Sequence, residues 1–186
     1  MAQDNSIARL ARQIVAARTA ERFLVDADEV ANLRRHGACE LHRICADFVS
    51  SVNANLSNAN LSNASLSNAS LSNAALDLSP VTYAPEMFRV PGVNLMQISS
   101  QGREMQIAFE APPKPVSTEK FLIPYVLEGE IRTYNQKMLE RFEIRNRLLF
   151  FCVKDGTAGW RFFDWRTRHT GPVDPDLLAS LMEPLF

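Results

Sequence analysis

The feature that most constrains this chain is a run of five-residue copies in its middle. Ala54-Asn55-Leu56-Ser57-Asn58 is followed by Ala59-Asn60-Leu61-Ser62-Asn63, then Ala64-Ser65-Leu66-Ser67-Asn68 and Ala69-Ser70-Leu71-Ser72-Asn73. A decayed copy, Ala74-Ala75-Leu76-Asp77-Leu78, closes the run. Five residues advance about 500° around an α-helix, so the leucines drift by about 140° per copy and line no single face. A strand fits no better, because the Ala-to-Leu step is two residues and the Leu-to-Ala step is three, which breaks strict alternation. The tract therefore cannot present one apolar face to a core over its whole length, and it divides the chain into unlike parts. Composition and period leave three forms open: a flexible linker, a short solenoid-like coil docked on a neighbour, and an extension of the preceding helix.

The unit Ala-(Asn/Ser)-Leu-x-x over residues 54–78 resembles pentapeptide-repeat proteins. That resemblance implies a right-handed β-helix in which four units make one square coil, with Leu and Ala pointing inward. Here it covers little more than one coil, and a solenoid cannot bury its core without stacked neighbours. The tract is accordingly read as a spacer, residues 54–80, between a helical segment, 1–53, and a C-terminal domain, 81–186.

Residues 6–52 read as helix. Ile7, Leu10 and Ile14 recur at spacings of three and four, and no Pro or Gly occurs before Gly37. Asp26 with Glu29 has the spacing of a capping box and marks a restart. Beyond it Val30, Leu33, Leu41, Ile44, Cys45, Phe48 and Val52 form a narrow apolar stripe. One long helix and a helical hairpin hinged near residues 25–28 both fit, and the stripe is compatible with a coiled coil.

After Ser79-Pro80 the pattern changes to β. Residues 93–99 and 103–110 predict a hairpin around Ser100-Gln101-Gly102, with Met105, Ile107 and Phe109 alternating against Glu104, Gln106 and Glu110. Residues 121–127 and 130–133 suggest a second hairpin across Glu128-Gly129. A short helix or turn is expected over 135–141. The run Leu148-Leu149-Phe150-Phe151-Cys152-Val153 is apolar on both faces and predicts a central strand. Residues 160–167 read as the next strand. Asp174-Pro175 opens a terminal helix that runs to about Met182. Strands in runs rather than alternating with long helices give an α+β class: helix, spacer, antiparallel sheet, terminal helix.

Chemistry is sparsely encoded. His36, Cys39, His42 and Cys45 carry metal-ligating side chains at a regular spacing of three. On one helix they wrap about half the cylinder, so they are weak metal candidates, and buried cysteines with polar-face histidines are the preferred reading. The stretch Trp160 to His169 interleaves aromatics with arginines, and Trp160, Arg161, Trp165, Arg166 and Arg168 are the candidates for stacking and phosphate contact on single-stranded nucleic acid. Cys152 and His169 are the only pair that suggests a nucleophile and base. Cys152 lies in the most apolar run, where thiolate formation is disfavoured. No phosphate loop, dinucleotide fingerprint or hydrolase motif occurs, no cofactor is implied, and the reading leans away from an enzyme.

The formal charge is −1, with 20 Lys+Arg against 21 Asp+Glu, so no long-range pull toward nucleic acid or an anionic membrane is built in. Three cysteines without framework spacing fit a reducing compartment, and with no apolar leader the expected location is cytoplasmic. From Phe121-Leu-Ile-Pro-Tyr-Val-Leu-Glu-Gly-Glu-Ile-Arg and from Leu149-Phe-Phe-Cys-Val and Gly159-Trp-Arg-Phe-Phe-Asp164, the part from about Val93 to Phe186 resembles uncharacterised bacterial proteins. The resemblance implies a compact β-rich domain behind a variable helical N-terminus, and no activity. The expectation is a non-catalytic interaction or scaffolding protein that binds a partner, or a second copy as a homodimer, through its N-terminal helices. Nucleic-acid binding through residues 160–169 is the alternative, and no membrane association is expected.

Overall fold

The computed structural model describes residues 8, 10–12, 14–15, 26–62, 75–113, 124–135, 142–154 and 157–186. Its element order is a long helix α1 (Ala27–Ser62), strands β1 (Asp77–Ser79), β2 (Asn94–Ser100), β3 (Arg103–Glu110), β4 (Tyr125–Asn135), β5 (Phe142–Lys154), β6 (Thr157–Phe163) and β7 (Thr170–Pro172), and a terminal helix α2 (Pro175–Met182). The seven strands form one antiparallel sheet in sequence order, each paired with its chain neighbour. The class is α+β, as the sequence pattern predicts.

Helix α1 begins where the sequence places a cap. The Asp26 carboxylate accepts from the backbone N–H groups of Asp28 and Glu29 at 2.8 and 3.2 Å, satisfying donors that the first turn leaves unpaired. The stripe that followed is buried: Val30, Ala38, Leu41, Ile44, Cys45 and Phe48 pack with Ile98, Ile107, Phe151 and Trp160 in one core. The stripe read as a coiled-coil seam is thus filled by the chain's own sheet, and the helix belongs to the core of the β domain.

Helix and sheet approach each other closely at Gly37. A Cβ there would meet Phe151 at 2.8 Å and Leu127 at 3.0 Å. Trp160 Nε1 donates to the Gly37 carbonyl at 2.6 Å, so the buried indole is satisfied by the helix it supports. Arg34 adds a second tie. Its Nε donates to the Val126 carbonyl at 3.1 Å and its Nη2 to the Pro112 carbonyl at 2.6 Å. Val126 sits where the β4–β5 register shifts between Tyr125 and Leu127, and Arg34 takes up its carbonyl.

Helix α1 also continues into the second repeat copy, to Ser62. Val49 and Val52, just before the repeat, pack on the core. At Asn53 the side-chain amide exchanges two hydrogen bonds of 2.9 Å with the backbone of Leu76, giving its N–H to the Leu76 carbonyl and accepting from the Leu76 N–H. Asn53 and Leu76, at either end of most of the repeat tract, are therefore joined directly. The fifth copy, read as decayed repeat, supplies β1, with Leu78 opposite Ile98.

The β2–β3 hairpin turns at Gln101 and Gly102, both at positive φ (51° and 79°), which is the two-residue geometry matching the twist of the flanking strands. The expected second hairpin across Glu128-Gly129 does not form. Strand β4 runs unbroken through both residues, with Gly129 opposite Phe109 and Leu149. Glycine is there for closeness: a Cβ would meet the Ala108 carbonyl oxygen at 2.3 Å and Phe109 Cβ at 2.7 Å. The short helix or turn expected over 135–141 lies outside the described residues beyond Asn135. Strand β6 ends at Phe163 rather than Thr167, because Asp164 turns the chain and accepts from the Arg166 N–H at 2.9 Å. Arg147 pairs with Asp164 at 3.1 Å, both side chains largely buried, and closes that end of the sheet. Helix α2 starts as expected, with Asp174 accepting from the Leu177 N–H at 2.8 Å. It buries Leu178, Leu181 and Met182.

Candidate functional site

Cross-strand partners share a sheet face, so register and burial assign every strand residue to one of two sides. The inner side carries Met96, Ile98, Met105, Ile107, Phe109, Ile131, Leu149, Phe151, Trp160 and Phe162, all buried in one core with side chains of α1 and α2. On the outer side one lateral row runs Glu110, Glu128, Phe150, Arg161 and Pro172 across β3 to β7. The next row runs Leu95, Ala108, Glu130, Leu148 and Phe163 across β2 to β6.

These two rows form a cleft of about 480 Å³, within the range of ligand-sized pockets. Its floor is apolar: Ala108, Gly129, Leu148 and Phe150, with Val93 at one side. Its rim carries three carboxylates, Glu110, Glu128 and Glu130. Tyr125 closes the far side, its ring 4.8 Å from that of Phe150. The Tyr125 hydroxyl donates to Glu128 at 3.1 Å. Burial, and then the Glu128 charge, push the Tyr125 phenol up to about 12, so it stays a neutral donor that fixes the carboxylate. Glu130 is held by Arg132. Among the described residues no cation pairs with Glu110 or Glu128. Val93, Leu95 and Leu148 are exposed at the margin and extend the apolar floor onto the open sheet.

The cleft combines desolvatable surface with fixed negative charge at its edge. That chemistry suits a segment with an apolar stripe and flanking cations, since the rim charges meet theirs while the floor takes the aliphatic groups.

The sequence-nominated residues are placed elsewhere. His36 is exposed on α1, 3.8 Å from Glu40. His42 Nε2 lies 2.9 Å from the Pro80 carbonyl, and its ring stacks on Tyr83 at 5.8 Å. Cys45 is in the core, its thiol pushed up to about 12 by burial. Cys39 is half-buried and raised by burial and by Glu86. The four do not converge, and no group of three or more metal-ligating side chains lies together among the described residues.

The aromatic–arginine stretch is split between surfaces. Trp160 is in the core and Arg161 is on the outer face. Trp165, Arg166 and Arg168 sit in the turn after β6, with the Arg166 guanidinium 5.1 Å over the Trp165 ring and Arg168 at φ 58°. They form no continuous stacking platform on β6. Cys152 lies opposite Gly159, whereas His169 follows the turn beyond Phe163 and packs on Phe162 at 5.5 Å. The two are at opposite ends of β6. Burial pushes the Cys152 thiol up to about 12 despite Arg161, which disfavours a thiolate.

Sequence reasoning missed the cleft residues Tyr125, Glu110, Glu128 and Glu130. The signal is the alternation of β3 together with the acidic residues on either side of Gly129, of which Glu128-Gly129 reads as a turn and Glu130 as the start of a strand.

No helix among the described residues is long and apolar enough to cross a membrane. The sequence pattern of the family described as "Pentapeptide repeats (8 copies)" matches residues 52–79. No curated protein and no solved structure matches the chain.

Proposed function

We propose that this chain is a non-catalytic interaction protein whose outer sheet face receives a protein segment with an apolar stripe and flanking basic residues. The observation that carries this reading is the acid-rimmed apolar cleft at Glu110, Glu128 and Phe150, on the face turned away from the core that α1 and α2 join. Exposed apolar surface bordered by charge marks interaction sites in proteins of this size. The buried stripe of α1 limits the N-terminal contribution to residues before Asp26. A cytoplasmic setting and a bacterial source accord with the free cysteines and with the resemblance of residues 93–186.

The test is a fluorescence-anisotropy titration of the full-length protein against a labelled helical peptide of unrelated sequence, with leucines on one face and arginines beside them. Saturable binding is expected, weakened at least ~10-fold by Glu110→Lys with Glu128→Lys and lost when the peptide's arginines become glutamates. Equal binding of both peptides, or of protein with and without the two substitutions, overturns the reading.

A further inference from the structure

The chain carries a segment of the kind the cleft suits. Leu10, Ile14 and Val15 are helical and exposed at 56%, 48% and 64%. Leu10 and Ile14 stand one turn apart, and Arg18 follows at the same four-residue spacing. Residues 1–25 hold four arginines, Arg9, Arg12, Arg18 and Arg22, against Asp4 and Glu21, a formal excess of two positive charges (4 − 2). The chain as a whole is formally −1, so this excess is local. Arg12 is exposed, and its Nε donates to the Ala8 carbonyl at 3.2 Å.

We propose that residues 7–22 of one copy dock in the outer-face cleft of a second copy, and reciprocally, to give a two-fold dimer. The proposal rests on the reading of the cleft given above and names its partner. Leu10 and Ile14 would lie on Leu148 and Phe150, with Arg9 and Arg18, on either side of that stripe by helical spacing, against Glu110 and Glu128. Were residues 7–22 helical throughout on docking, they would span ~24 Å at ~1.5 Å per residue, enough to cross the ~14 Å from β2 to β5 and leave a turn on each side. A reciprocal arrangement makes each docking event reinforce the other, because the second is intramolecular once the first has formed.

The test uses two full-length variants. Glu110→Lys with Glu128→Lys makes the cleft basic and leaves the helix basic. Arg9→Glu, Arg12→Glu and Arg18→Glu together make the helix acidic and leave the cleft acidic. Multi-angle light scattering of the unsubstituted chain should show a concentration-dependent dimer. Each variant alone should be monomeric at concentrations where that chain dimerises. An equimolar mixture of the two should dimerise again, since each helix then meets a cleft of opposite sign. Circular dichroism checks folding. If the lysine pair does not fold, Glu110→Gln with Glu128→Gln replaces it, with at least ~10-fold weaker dimerisation expected. A chain that stays monomeric, a dimer that neither variant weakens, or a mixture that fails to re-form it overturns the proposal. If the unrelated basic peptide still binds in that event, the cleft reading stands and only the self-docking partner is wrong. If that peptide also fails, both fall.

Discussion

The two faces of the sheet are built from the same strands and differ in what covers them. The inner face meets α1 and α2, and every large side chain on it has a partner from a helix or a neighbouring strand. The outer face is not covered by α1 or α2, yet it holds Phe150, Leu148 and Leu95 beside Glu110 and Glu128. A sheet whose only role was to support the helices would place polar side chains across that second face. The difference separates stability from recognition: inner-face substitutions should unfold the protein, and outer-face ones should leave it folded and change what it binds.

The largest effect is expected at Phe151, fully buried against Trp160 at 5.5 Å. Phe151→Ala should lower unfolding free energy by ~3–5 kcal/mol in urea, the cost of removing a large ring from a packed core. Gly37→Ala comes next and decides between two opposing effects. In an open helix it would stabilise by ~1 kcal/mol. Here the new methyl meets the Phe151 ring, which Trp160 and Leu127 hem in, and overpacking costs ~1–3 kcal/mol. A net loss of stability is expected, and a gain would show that the helix sits further from the sheet.

Acid should act through Asp164. Burial alone would raise its pKa, but the Arg166 N–H, Thr167 and Arg147 together hold it below the ordinary 3.8. The folded carboxyl therefore binds its proton less readily than the unfolded one. The stabilisation is intact above about pH 3.8 and is lost as the pH falls through the lower folded value. Urea midpoints should drop more steeply below pH 4 in the natural protein than in Asp164→Asn. The smallest effect sharpens the comparison most. Glu110→Lys, at an exposed position, should shift unfolding free energy by no more than ~0.5 kcal/mol while weakening peptide binding.

The elements that were legible in the sequence are those whose signal is local. Alternation at Met105, Ile107 and Phe109 gave β3, the apolar run 148–153 gave β5, and Asp174-Pro175 gave α2. What failed depended on partners distant in sequence. Gly129 reads as a turn because glycine usually breaks strands, and only the approach of Ala108 and Phe109 explains it as a strand residue. The stripe of α1 shows that a face is buried but not against what, so a seam between chains and a core within one look alike. The repeat's period excludes a continuous apolar face, and the Asn53–Leu76 exchange that brings its ends together is one side-chain amide with no pattern around it. The cleft was hidden for a related reason: Glu110 and Glu128 come from different strands and become neighbours only through the β3–β4 register.

The most direct measurement is hydrogen–deuterium exchange of the full-length protein with and without a saturating basic amphipathic peptide. The account predicts added protection in residues 93–95, 108–110, 125–130 and 148–150, with residues 165–169 unchanged. Protection centred on the Trp165–His169 turn, or at the α1–α2 interface around Phe48 and Met182, would contradict it.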